Sequence, residues 1–402
     1  MSTTFGTGLN KDNDGTAAAT EAVRQATEKL GGGSRVDLAI VHASSKYDYQ
    51  AVVDSVRAAT GNAPLIGSSS SGEFTEGRVA AGSVAVGLIA SDDIKFATAI
   101  ARDLKADPEL AARTVANKFP VEMEGFSNLS AILMIDGLAG LGEEITLLAS
   151  TIFNLTLGRD VKLAGGAAGD DLRFEETTVF CDDQVATDAV SACLFASKKP
   201  LYTGVAHGHT PVSEPLRATS AKECVLYEVN GRPAWDVWKE ATAEAASRIG
   251  VDVGTIREPD AVGAHLLRFE LGLSAGDGQY KIRIPLGKNE DGSLNFGCAI
   301  PEGATFRIME GEKANQIISA REAAEVARQN AGDVELAGAI VFDCACRGLI
   351  LGDEFYRGVD QFKDVLGNIP ILGWETYGEI CMESGQFSGF HNTTSVVLLI
   401  PA

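Results

Sequence analysis

The stretch GNAPLIGSSSSGE at residues 61–73 is written again as GNIPILGWETYGE at 367–379, 306 positions later. Gly, Asn, Pro, Gly, Gly and Glu keep their spacing, while the four residues between the last two glycines change completely. At ordinary residue frequencies such a match has a probability on the order of 10⁻⁴ or lower within a chain of this size. The chain therefore carries a duplication, and any fold proposed for it must contain the same local structure twice.

The two copies extend in both directions. An apolar run precedes each, DLAIVHAS (37–44) and GAIVFDCA (338–345), as expected of a buried strand. A helix follows: Tyr49, Val53, Val56 and Thr60 in one copy match Phe355, Val359, Phe362 and Leu366 in the other. Gly61 and Gly367 are placed to close these helices. Another apolar strand comes after the motif, SVAVGLIA (83–90) or SVVLLIPA (395–402). A weaker third copy lies between them: LSAILMIDG (129–137), a helix over 142–158, VKLAGGAAGDD (161–171) and AVSACLFAS (189–197), with Asp170 where the others have Glu. The expected fold is α/β, with two domains whose mixed β-sheets are flanked by helices and built from duplicated strand–helix–strand–loop–strand units. The boundary is expected near residue 225. Residues 1–33 then form a loosely held leader and a first helix, 34–225 the N-terminal domain and 226–402 the C-terminal domain.

Further elements are legible outside the repeat. Asp107 caps a helix opened by Pro108, and a second helix follows Pro233 and ends at Gly250. From Val262 to Arg307 alternating apolar residues and glycine-rich turns predict antiparallel strands.

Asp and Glu outnumber Lys and Arg by 55 to 34, a formal charge of −21. Such a chain repels nucleic acid and anionic lipid surfaces, so neither is an expected partner. No apolar run approaches the roughly 20 residues of a membrane helix, and the N-terminus lacks a signal pattern. Seven irregularly spaced cysteines make no disulfide framework. The expected setting is cytoplasmic.

Several segments resemble the FIST family. They are LIGSSSSGEF (65–74), LAGGAAGDDLRF (163–174), YEVNGRPAWD (227–236), IPEGATFRI (300–308), VFDCACRGLILG (341–352), GWETYGEI (373–380) and FHNTT (390–394). The likeness runs over nearly all of 35–402, in the order of an N-terminal and a C-terminal FIST domain. It implies a sensory module of signal transduction that binds a small ligand such as an amino acid. It also implies a separate signalling partner, such as a histidine kinase, chemoreceptor or cyclase. Some members bind haem and report nitric oxide, which makes a haem sensor the alternative expectation.

The residues suggest how a ligand would be held. Glu73 and Glu379, with Asp170 in the third copy, offer acids after the last glycine, and Glu73 and Glu379 can receive an ammonium group. Ser69, Ser70 and Ser71 can hydrogen-bond a polar ligand, while the counterpart loop of Trp374, Glu375, Thr376 and Tyr377 can stack on one and hydrogen-bond its edge. Arg347 can grip a carboxylate with two parallel hydrogen bonds, or instead form an ion pair with Asp343 or Glu379. Both acids and the arginine in one cleft would suit a zwitterion. His391, beside Asn392, is the expected axial ligand if haem is bound, with His207 and His209 as a second choice. No metal or other cofactor is expected.

Catalysis is not expected. Gly67 and Gly72 stand five apart, which is not the G-x-S-x-G spacing of a nucleophile elbow. Glu143 and Glu144 would repel phosphate from the glycines of DGLAGLGEE (136–144). An enzyme using Cys344, or the paired glutamates as acid and base, remains the third alternative.

Overall fold

The computed structural model describes residues 3–31, 35–276, 278–383, 385–386 and 388–402. The duplicated unit is present three times. In the first unit Leu38–Ser44 runs parallel to Leu65–Ser70 and antiparallel to Val84–Ala90, with the helix Tyr49–Ala59 as the crossover. The second unit repeats this with Asn128–Ile135, Gly142–Leu157, Val161–Ala167 and Ala189–Ser197. The third has Leu336–Cys344, Phe355–Leu366, Ile371–Thr376 and Thr394–Pro401. Each sheet is mixed because only the helical crossover joins parallel neighbours.

Every unit also has a preceding strand, paired antiparallel with its last strand, and a preceding helix. The strands are Thr4–Asn10, Ile94–Arg102 and Tyr202–His207. The helices are Gly15–Leu30, Pro108–Ala116 and Lys313–Ala331. In the third unit, residues 208–312 are inserted between strand and helix. They contribute a separate nine-stranded sheet, joined by helices Ala234–Arg248 and Pro259–Arg268. Trp238 is buried in the core of this layer and donates its indole N–H to Phe269 O at 3.2 Å.

Strand periodicity assigns the two faces of each sheet. Leu38 and Ile40 point to a core shared with Phe342 and Trp374 of the third unit and Ile132 of the second, while Ala39, Val41 and Ala43 face the first unit's helices. Three sheets thus enclose one interior and wear their helices outside.

The units are also laced together. After its parallel pair, the first unit sends the hairpin Glu73–Thr75/Arg78–Ala80 to the edge of the third unit's sheet, beside Ile371–Thr376. The third sends Glu379–Met382/Phe390–His391 to Val161–Ala167 of the second, and the second sends Val179–Cys181/Gln184–Ala186 to Leu65–Ser70 of the first. Each hairpin covers strand groups that would otherwise lie open.

Three expectations are corrected. The leader is not loosely held, because Thr4–Asn10 pairs along its whole length and is largely buried. Its Gly6 and Gly8 let the helix Gly15–Leu30 approach the strand, since a Cβ on either would strike the carbonyl of Ala26 or Ala22. Residues 32–34 of the expected GGGS terminus lie outside the described residues. The glycine-flanked loops are mostly strand: pairing continues to Ser70 and Thr376 and leaves tight turns at Ser71–Gly72 and Tyr377–Gly378. Finally, Val262 belongs to the helix Pro259–Arg268, so strands begin only at Phe269; Pro259 at the first helical position starts it. The caps behave as expected, with Asp107 accepting from Leu110 N at 2.8 Å.

Candidate functional site

The three turns meet. Ser71 N donates to Glu375 O and Glu375 N to Gly72 O, joining the first turn to the third at 3.2 and 2.8 Å. Gly169 N and Asp171 N donate to Ser69 O and Ser70 O, which joins the second turn to the first. Ala167 N and Gly378 O, with Tyr377 N and Ala167 O, close the ring at 2.8 and 3.0 Å. Segments far apart in sequence therefore form one backbone junction.

Beside this junction is a cavity of about 250 Å³, and all three units contribute to its wall: Gly72 and Glu73, Leu172, and Glu375 with Gly348. Glu375 is the exceptional residue. It stands in an otherwise buried strand, half-buried itself, and among the described residues no hydrogen bond reaches its carboxylate. Two glycines make room for that group. A Cβ on Gly72 would lie 2.7 Å from Glu375 Oε2, and one on Gly348 would collide with Oε1. Burial, followed by the charges of Asp343, Glu73 and Asp171, holds the Glu375 carboxyl in its protonated form far above the usual range.

Glu73 shares the wall. Ser70 and Ser83 donate hydroxyls to it, and Ser83 N donates at 3.1 Å. Burial outweighs these donors and raises its pKa to about 8. The cavity thus presents two carboxyls for which burial favours the protonated form.

The structure gives the remaining expected residues other surroundings. Ser69 exchanges hydrogen bonds with Thr178, and the Ser71 hydroxyl packs on Gly169, leaving no space there for a Cβ. Asp170 accepts from the N–H groups of Phe174, Glu175 and Glu176 at 2.9, 2.7 and 3.0 Å, and from the Tyr377 hydroxyl. Burial opposes its ionisation, yet Tyr377 and those N–H groups prevail and its pKa is lowered. Tyr377 stacks on Phe174 with centroids 4.9 Å apart. Trp374 lies in the central core, its ring 3.3 Å from that of His42 and nearly parallel. Glu379 is fully buried and accepts from Thr376 Oγ1 at 2.7 Å and Thr394 N at 3.3 Å.

Arg347 takes the ion-pair role. Its Nε donates to Asp343 Oδ1 at 2.7 Å, and its other nitrogens are engaged by Gln316 and Ser319. No side of the guanidinium is left for a ligand carboxylate. Asn392 is buried beneath the inserted layer, accepting from Ile284 N at 3.3 Å. Cys344 is buried, and burial raises its thiol pKa well above the ordinary value, a poor setting for a nucleophile.

His391 belongs to a different place. With His207 it lines a cleft of about 630 Å³ between the third unit and the inserted layer, together with Lys281, Glu322 and Cys381. Burial lowers both imidazole pKa values, that of His207 to about 4, so both rings are neutral as a metal requires. His391 Nε2 is 3.4 Å from Cys381 O. His209 instead approaches Glu270 at 3.6 Å. Among the described residues no group of three or more His, Cys, Asp or Glu is arranged around a metal position, and no helix is long and apolar enough to cross a membrane.

Glu375 falls among the four varying positions that the sequence marks as contact residues, but the repeat does not set it apart from Trp374, Thr376 and Tyr377. Its signal is a lone acid in a strand that is apolar up to that point, ILGWET.

Comparison with known proteins agrees with this architecture. Residues 37–232 match the family model of the FIST N domain and 234–382 that of the FIST C domain. An uncharacterized protein of Mycobacterium tuberculosis is 26% identical over 246 residues, 59% of this chain and 61% of its own length. Another uncharacterized protein, from Methanocaldococcus jannaschii, is 23% identical over 261 residues, 60% of this chain and 49% of its own length. The matched part therefore spans less than two thirds of these relatives. With both domain families matched in order across most of its length, the chain belongs to the FIST family of signal-transduction sensory domains that bind small ligands.

Proposed function

We propose that the chain is a cytoplasmic, non-catalytic sensor that binds a small amino-acid-like ligand through its ammonium group in the cavity beside the three turns. The observation that carries this reading is Glu375, a carboxyl without a hydrogen-bond partner among the described residues, framed by Gly72 and Gly348 and facing Glu73. An entering ammonium replaces the protons on these acids and gains a charge-assisted contact in a partly dry setting. Arg347 takes no part, so the ammonium end is the recognised end. Because the wall is assembled from three units, filling it favours the arrangement in which they are closed. A ligand shifts such a balance only through its differential affinity. The altered surface is read by a separate histidine kinase, chemoreceptor or cyclase.

Calorimetric titration with small amines, amino acids and carboxylic acids tests this. Amines and amino acids bind, protons are released, and affinity rises with pH through about 8, the Glu73 value. Carboxylic acids without an amine give no heat. Binding that persists undiminished in Glu375→Gln refutes the assignment.

A second reading, a haem sensor, is supported by His207 and His391 sharing one cleft with neutral rings. Either imidazole would supply the axial ligand, and bound haem would supply a gas-responsive iron; Glu322 and Glu325 on the same wall disfavour propionates there. Added haemin giving a Soret band that is lost in His391→Ala or His207→Ala supports it, and a band indifferent to both rejects histidine ligation.

A further inference from the structure

The inserted layer carries a groove whose chemistry is the opposite of the cavity just described. It holds about 480 Å³ between the helices Ala234–Arg248 and Pro259–Arg268 and the strand Pro285–Lys288. Its floor is apolar, made of Trp235, Ile256 and Val262, all buried. Leu286 stands at its edge with 56% of its surface exposed. Around this floor are Lys239, Arg257 and Lys288, and no carboxylate is among the described lining residues.

In a chain of net charge −21 this concentration of cations is a local reversal. Two of the three are not neutralised. Lys239 pairs with Asp236 at 3.1 Å and lies 6.0 Å above the Trp235 ring. Arg257 donates only to the carbonyl of its neighbour Ile256, and Lys288 to Asn289 O at 3.0 Å; among the described residues neither forms an ion pair. A groove with an apolar floor and a few convergent polar groups is how proteins hold small organic ligands.

We propose that this groove is a binding site for a small organic anion with a flat apolar body, such as an aromatic carboxylate. The body covers Leu286 and rests over Trp235, Ile256 and Val262, while Arg257 and Lys288 hold the acidic group. Arg257 suits that role because its planar fork matches a carboxylate bidentately. This site is independent of the acidic cavity: it lies in the inserted layer and shares no lining residue with it.

Calorimetry with 2-naphthoate as the probe tests the proposal on the whole chain, against 2-naphthylmethylamine (the same ring with the opposite charge) and inorganic phosphate (charge without a ring). One equivalent of 2-naphthoate is expected to bind, with the amine and phosphate each at least about tenfold weaker. Arg257→Ala and Lys288→Ala should each weaken 2-naphthoate about tenfold, the effect of one charge-assisted hydrogen bond. Both side chains are exposed, so the thermal midpoint should not move, and Leu286→Ala supplies an uncharged variant that weakens binding severalfold. The proposal is overturned if 2-naphthoate does not bind at millimolar concentration, if the amine binds equally well, or if affinity is indifferent to both cation substitutions.

Discussion

Glu375 and Glu379 stand four residues apart, at the end of one strand and the start of the next, and burial raises the pKa of both well above normal. Their surroundings separate them. Glu379 is closed in, with Thr376 and Thr394 donating to its two oxygens. Glu375 opens onto a cavity, and its carboxylate accepts from nothing among the described residues. A shifted titration therefore does not distinguish a structural acid from a receptive one; the fate of its lone pairs does. Glu73 is intermediate, on the cavity wall yet bonded to Ser70 and Ser83.

The contrast can be broken at its closed side first. Asp343 is another enclosed acid of the third unit, and Arg347→Ala would strand it without its partner. A loss of about 3–5 kcal/mol is expected, read from the denaturant midpoint. A loss below about 1 kcal/mol would mean that the cluster is more accessible than its burial indicates.

Glu73 gives the next largest effect. Its folded pKa of about 8 exceeds the unfolded value near 4.5, so its stabilising contribution is complete below that unfolded value and vanishes as pH rises through about 8. Stability should fall by on the order of 3 kcal/mol between pH 5 and 9 from this group. Glu73→Gln, which mimics the protonated acid, should remove that share of the slope; an unchanged slope in the variant contradicts the assignment.

The smallest change is expected at Glu375. Glu375→Gln should alter stability at neutral pH by less than about 1 kcal/mol, because no donor depends on it. Thermal melts of this variant, beside its amine titration, separate a binding residue from a structural one. A large loss of stability would move Glu375 into the company of Glu379.

Much of the frame was legible in the sequence. Identical spacing of Gly, Pro and Glu marked the repeat, and apolar periodicity located its strands and helices. The weak third copy was visible although only Gly165, Gly169 and Asp170 echoed the motif. Legibility failed where distant partners decide. Thr4–Asn10 contains glycines that suggest a loop, but Gly6 and Gly8 are there for the close approach of a helix. Arg347 is silenced by Gln316 and Ser319 as well as Asp343, and residues some 30 positions away leave no local trace. The hairpin partners were equally hidden, since Glu73–Thr75 pairs with a strand nearly 300 residues downstream. Local pattern sets which residues form a strand, whereas the choice of neighbour is made by tertiary packing.

The circulating hairpins have a consequence for dissection of the molecule. A cut at residue 233, between the two matched family segments, removes Ile371–Thr376 from the first hairpin and leaves Val161–Ala167 with a bare edge. Neither half would then be a finished object. Each would expose ready-made templates for adhesion to other chains, so expressed halves should precipitate alone and recover solubility only when produced together.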